Sequence, residues 1–202
     1  MHNNLVYPYQ STLNYSYDQE VVTPYSWDVY LDEKNIEVSF GVSHQSGIYS
    51  IKFDDSNAKY ILVNNRNGKI KIENGVVTGY QIVSNEVTEN VTKVYLYLEP
   101  EQTAIASGLL SFGKISSETE GEGNNKCAAL EFSADTKQIK VRYGISFISE
   151  EQAKANLYRE IVGFDKEIVV QRGREIWDKA LSKTLVEGGS NDDKTVFYTS
   201  IY

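Results

Sequence analysis

The sequence predicts a mainly-β protein, an antiparallel β-sandwich followed by α-helices at the C-terminus. Three observations carry that expectation. Apolar and polar residues alternate at period two from about Trp27 to Ile148, the pattern of strands with two unlike faces. Turn-forming residues punctuate the alternation at short intervals, and no helical crossovers separate the strands, which excludes a parallel sheet. At Ser149 the period changes to that of a helix.

The strands follow in order. Ile36, Val38, Phe40 and Val42 alternate with Glu37, Ser39 and Gly41. Tyr49, Ile51 and Phe53 alternate with Ser50 and Lys52, and Val94, Leu96 and Leu98 with Tyr95 and Tyr97. Ile139, Val141, Tyr143, Ile145 and Phe147 form the longest such run. One set is expected to face a core and the other water or a second surface. Asn67-Gly68 and Asn74-Gly75 flank Lys69 to Ile72 and predict tight hairpins, because Asn-Gly supplies positive φ. Asp54 to Asn57 and Ala134 to Lys137 predict further reversals, with Asp54-Asp55 in a hairpin turn. Ser116 to Lys126, with Gly121 and Gly123, predicts a solvated acidic loop, and its Glu118, Glu120 and Glu122 are read as exposed charge, not metal ligands.

Ser149-Glu150-Glu151-Gln152 predicts a capping box, with Ser149 accepting from the backbone and Gln152 reaching back. Ala153, Leu157 and Ile161 follow at helical spacing, and Gly163 predicts the stop. Asp165 can cap a second helix with Val169, Ile176, Trp177, Ala180, Leu181 and Leu185 on one broad face, ended by Gly188-Gly189. A third helix is expected from about Asp192-Asp193, carrying Val196, Phe197, Ser200 and Ile201. The sequence stops within it at Tyr202, so an incomplete protein is expected, its last helix lacking a packing partner.

Composition narrows the function classes. The 202 residues are 41% hydrophobic and 24% charged, ordinary for a soluble globular domain. A formal charge of −8 and the lack of a basic stripe argue against nucleic acid. No apolar run approaches a membrane span, and Met1 to Leu5 has no signal-peptide character. The single Cys127 sits in an apolar stretch and is read as a buried small side chain. Fifteen tyrosines suit sheet faces that end near water, and also sugar stacking. Sequons occur at Asn14 and Asn90.

Each acidic pair has a plain local reading. Asp54-Asp55 belongs to a turn, and Glu150-Glu151 and Asp192-Asp193 open helices, where the positive dipole end favours anions. His44 with Ser43 and Ser46 nearby is weak ground for a triad, which is defined by geometry.

Four segments carry a family resemblance. They are Phe147 to Leu157, Trp177 to Lys183, Val186 to Gly189 and Lys194 to Tyr202, in that order, with Thr23 to Leu31 upstream as a looser match. Together they resemble glycoside hydrolase family 92, bacterial calcium-dependent exo-acting α-mannosidases. The resemblance implies an N-terminal β-sandwich domain over 1–148, a helical linker over 149–187 and, over 188–202, the truncated start of an (α/α)6 catalytic barrel. It implies inverting hydrolysis of terminal α-mannosides, in which one carboxylic acid protonates the leaving oxygen and a second carboxylate activates water. Calcium is implied for the parent enzyme, with ligands expected mainly in the missing barrel and none in this chain. The implied partners are α-mannoside glycans and that (α/α)6 domain, and the implied location is periplasmic, cell-surface or secreted in a bacterium. The family's first glycine-rich segment and its barrel have no counterpart here, so no catalytic or metal residue is assigned to this chain, and its carbohydrate-contacting residues stay unassigned. The alternative is a stand-alone carbohydrate-binding or adhesion β-sandwich without hydrolase activity, with Trp27 and tyrosines as stacking platforms.

Overall fold

The computed structural model describes residues 19–32, 35–84 and 91–200. Both sequons' asparagines, the N-terminal segment and Ile201, expected in the third helix, lie outside them. Eleven strands and three helices are described: β1 Val21–Val22, β2 Ser26–Leu31, β3 Ile36–Val42, β4 Ser46–Phe53, β5 Lys59–Glu73, β6 Val76–Ser84, β7 Val91–Pro100, β8 Ala106–Ser111, β9 Lys114–Ile115, β10 Glu120–Phe132, β11 Gln138–Ser146, α1 Glu150–Glu160, α2 Lys166–Leu181 and α3 Asn191–Ser200. Every pairing is antiparallel, in the order β1-β2-β3-β4-β11-β7-β6-β5-β10-β8-β9. The predicted fold class is the one observed.

The continuous sheet closes on itself as a sandwich. Ile70 and Ile72 of β5 and Leu130 and Phe132 of β10 share one core with Leu98 of β7 and Ile139 and Val141 of β11. β10 and β11 are separated by three strands in the sheet, so this contact requires the sheet to fold over. Full burial of Phe132, Leu130 and Ile139 contributes about 1.5–3 kcal/mol each. The second faces of β4 and β7 are covered too: Ile48 and Tyr97 join Ala153 and Leu157 of α1, its C-cap Ile161, and Val169 of α2. That explains why Tyr95 and Tyr97 alternate with leucines. They face the helices rather than water.

α1 lies directly on β11. A Cβ on Gly144 would stand 2.2 Å from the Ala153 carbonyl oxygen and 2.9 Å from Leu157 Cβ, so only glycine permits this approach. Ser149 caps α1, accepting from Gln152 N at 3.1 Å. Gln152 does not reach back. Its amide donates to Asn156 Oδ1 at 2.9 Å, while Asn156, almost fully buried, donates to the Ile145 carbonyl at 2.9 Å. A sealed amide must be satisfied, and that demand outweighs the second half of the capping box. The chain leaves the helix at Ile161, with Gly163 at φ +76 just beyond. Arg142 of β11 fixes this exit. It pairs with Glu99 and donates to the Ile161 and Gly163 carbonyls at 2.8 and 3.1 Å.

Several sequence expectations need correction. Asn74-Gly75 is a hairpin turn, with φ of +52 and +78, but Asn67-Gly68 lies inside β5. It is paired to Asn124 and Gly123 on one side, and Gly68 to Gln81 on the other, so no reversal is possible there. The expected loop over 116–126 is loop only to Thr119. From Glu120 it is strand, because Glu120 pairs with Lys69 at 2.6 Å and Glu122 accepts from the Tyr80 hydroxyl at 2.9 Å. Cross-strand partners override the poor strand propensity of Gly and Glu.

Asp54 to Asn57 is not a hairpin turn, since β4 and β5 are not neighbours. It is a connection between layers, as is Ala134 to Lys137. Lys59, 2% exposed, ties the two together. Its ammonium donates to the Asp55, Asn57 and Ala134 carbonyls and pairs with the Asp55 carboxylate at 2.9 Å.

Asp165 caps α2 as expected, accepting from Glu167 N at 3.0 Å. The helix ends at Leu181, with Ser182 as its C-cap, before Leu185 and well before Gly188-Gly189. Of the broad apolar face only Val169 is buried, and Ile176 is 55% exposed. In the last turns Trp177 and Leu181 are only half-buried and their neighbours exposed, so little burial sustains further helix. α3 begins at Asn191 and buries none of its residues. Ser190 and Asp193 cap it reciprocally, through Asp193 N to Ser190 Oγ at 3.1 Å and Ser190 N to Asp193 Oδ2 at 2.8 Å.

Candidate functional site

A cleft of about 380 Å³ lies where the β3–β4 turn meets the end of α1 and the middle of α2. Val42 and Val169 contribute apolar lining. Tyr25 and Trp177 supply aromatic walls, and His44, Arg159 and Arg172 supply polar ones. Gly173 lets α2 settle against Tyr25, since a Cβ there would stand 2.4 Å from Tyr25 Cβ.

Glu160 organises the cleft. Its carboxylate accepts from Ser46 Oγ at 2.6 Å, Gln45 N at 2.9 Å and Arg159 Nη2 at 3.0 Å. Burial alone would raise its pKa, but the Ser46 hydroxyl, the Gln45 amide and the Arg159 guanidinium together hold it below the usual carboxylate value. It is a satisfied structural anion. Arg172 donates to the Glu160 carbonyl at 3.2 Å, and Arg159 also reaches the Gln45 side chain at 3.3 Å. Both guanidinium groups therefore bond to Glu160, Arg172 at its carbonyl and Arg159 at its carboxylate.

The residues singled out from sequence fall into three groups. His44 and Ser43 line the cleft, but the Ser46 hydroxyl serves Glu160. Asp55 is held below its usual pKa by Lys59 and Asn57. Asp193 is similarly lowered by its cap bonds to Ser190, and Glu151 by backbone and Ser149 donors at the start of α1. Burial pushes the Cys127 thiol up to about 11, as suits an inert core cysteine. Trp27, half-buried, donates its indole N–H to Glu20 at 2.7 Å. Among the described residues no three His, Cys, Asp or Glu side chains converge to hold a metal ion.

Sequence reasoning missed Glu160, Arg159, Arg172 and Tyr25. Glu160 meets Ser46 across 114 positions of sequence, so no local pattern announces the cleft.

The profile described as the glycosyl hydrolase family 92 N-terminal domain matches residues 3–146, and that of the family's catalytic domain matches residues 152–202. The chain belongs to glycosyl hydrolase family 92. The solved family 92 inverting mannosidase of Bacteroides thetaiotaomicron VPI-5482 is 25% identical, with a TM-score of 0.84 over 93% of this chain and 26% of that one. A family 92 α-mannosidase from Bacteroides thetaiotaomicron is 20% identical, with a TM-score of 0.74 over 87% of this chain and 26% of that one. A bacterial glucoamylase shares the fold at 10% identity and a TM-score of 0.51, over 78% of this chain and 26% of its own. No curated protein matches the chain. The family 92 chain therefore spans about a quarter of the length of these solved enzymes. Among its described residues no helix is long and apolar enough to cross a membrane.

Proposed function

We propose that this chain is the N-terminal, non-catalytic part of an exo-acting inverting α-mannosidase, contributing to a substrate site between its sandwich and the catalytic domain. The observation that carries the reading is the succession, in order, of N-terminal-domain and catalytic-domain matches along one chain. A stand-alone binding module has no reason to carry the second. Inverting hydrolysis needs two carboxyl groups on opposite faces of the sugar, about 6.5–9.5 Å apart. Asp55, Glu120, Glu160 and Asp193 are committed to ion pairs, caps and turns, and the acid and base are proposed to lie in the rest of the catalytic domain. Calcium, if the parent enzyme uses it, is held there too. The parent is proposed to work outside the bacterial cytoplasm, where glycans are met.

The test compares this chain alone with a protein in which it is continued by a complete family 92 catalytic domain. The completed protein should release mannose from an α-mannoside as the inverted anomer, read by proton NMR, and the chain alone should release none. An inactive completed protein, or turnover by the chain alone, overturns the reading.

A further inference from the structure

We propose that the cleft between the β3–β4 turn and α2 binds an anionic sugar unit, a carbohydrate ring bearing a carboxylate or a phosphate ester. Charge is the first ground. The chain carries a formal charge of −8, yet this cleft gathers Arg159, Arg172 and His44 around one carboxylate. That carboxylate is spent. Glu160 already accepts from Ser46, Gln45 and Arg159. Arg172 donates to a neutral partner, the Glu160 carbonyl, at 3.2 Å, and among the described residues it forms no ion pair. A guanidinium presents five N–H donors in a fork that matches carboxylate and phosphate oxygens. Donors therefore remain at both arginines, held in place by the Glu160 anchor.

Shape is the second ground. Tyr25, Trp177 and Ile176 line the same cleft, and aromatic walls suit the C–H faces of a sugar ring. A volume of about 380 Å³ lies within the ~300–1,000 Å³ range of small-molecule sites. The carbohydrate half of the proposal rests on the glycan-processing reading above, while the anionic half rests on the arginines alone.

The 202-residue chain is titrated calorimetrically with glucuronate, glucose 6-phosphate, glucose and inorganic phosphate. Glucuronate or glucose 6-phosphate should bind about tenfold or more tighter than glucose, and the tighter of the two identifies carboxylate or phosphate. Arg172→Gln should weaken that binding by about tenfold, with the circular dichroism spectrum unchanged. Trp177→Leu should weaken the sugar anion but not inorganic phosphate. Equal binding of glucose overturns the anionic assignment. Inorganic phosphate binding as tightly as glucose 6-phosphate means an adventitious ion only, and no binding at all overturns the site. Mannose release by the completed enzyme reports on the hydrolase reading separately, so failure of one is distinguishable from failure of the other.

Discussion

The Glu160 carboxylate, at the last turn of α1, holds the Ser46 hydroxyl at the start of β4 at 2.6 Å. This bond joins the helical part of the chain to the sandwich and shapes the cleft. Glu160 is 9% exposed at its side chain. Replacing it with alanine leaves the Ser46 hydroxyl and Gln45 amide without their acceptor, a loss of about 1–3 kcal/mol. Urea unfolding should show the shift in midpoint, and an unchanged midpoint would remove Glu160 from this role.

The same residue predicts a pH dependence. Its pKa is lowered in the folded state, so the unfolded chain binds the proton more readily. The stabilisation is fully present above the ordinary glutamate value and is lost as pH falls through the depressed one. Stability measured against pH should therefore decline less steeply on acidification in Glu160→Gln than in the parent. Parallel curves would contradict it.

Arg142 and Glu99 are almost sealed, at 8% and 12% side-chain exposure. Removing one partner strands the other, at a cost of about 3–5 kcal/mol. Arg142→Leu or Glu99→Leu alone should be severely destabilising, and the double variant should recover part of the loss. Tyr97 and Tyr158 also donate to Glu99, at 3.1 and 2.9 Å, so recovery will be incomplete. Additive thermal shifts in the double-mutant cycle would show that the pair is not coupled.

Gly144→Ala places a Cβ 2.2 Å from the Ala153 carbonyl. α1 must lift from β11, costing about 1–3 kcal/mol. Hydrogen exchange should then rise in α1 before it rises in β11. Uniform protection identical to the parent would show that the helix adapts without cost.

α3 should exchange fast beside the slow strand β11. Its 10 residues are below the length at which isolated helices persist in water, and none is buried. Protection over Lys194 to Ser200 matching that over Ile139 to Val141 would mean that its contacts suffice to hold it.

The fold was legible in the sequence wherever periodicity and local chemistry agreed. Alternation found β3, β4, β7 and β11, and Ser149 and Asp165 announced two helices through their caps. Misreadings came where distant residues decide. Asn67-Gly68 has turn chemistry but sits between two paired neighbours, and Glu120 to Gly123 has loop composition but meets Lys69 and Tyr80. The cleft was illegible for the same reason, since Tyr25, His44, Glu160 and Arg172 come from four separated segments.

The placement of β11 between β4 and β7 bears on how this protein emerges from the ribosome. β2, β3 and β4 form a meander that is complete early in synthesis, yet the outer edge of β4 gains its partner only when Gln138 to Gly144 has been made. Throughout the intervening elongation that edge offers unpaired backbone groups to any passing strand. Lys59 cannot close its bond to Ala134 until the same stage. The nascent chain therefore needs shelter over this interval, and slow translation between β4 and β11 would prolong the period in which it can aggregate.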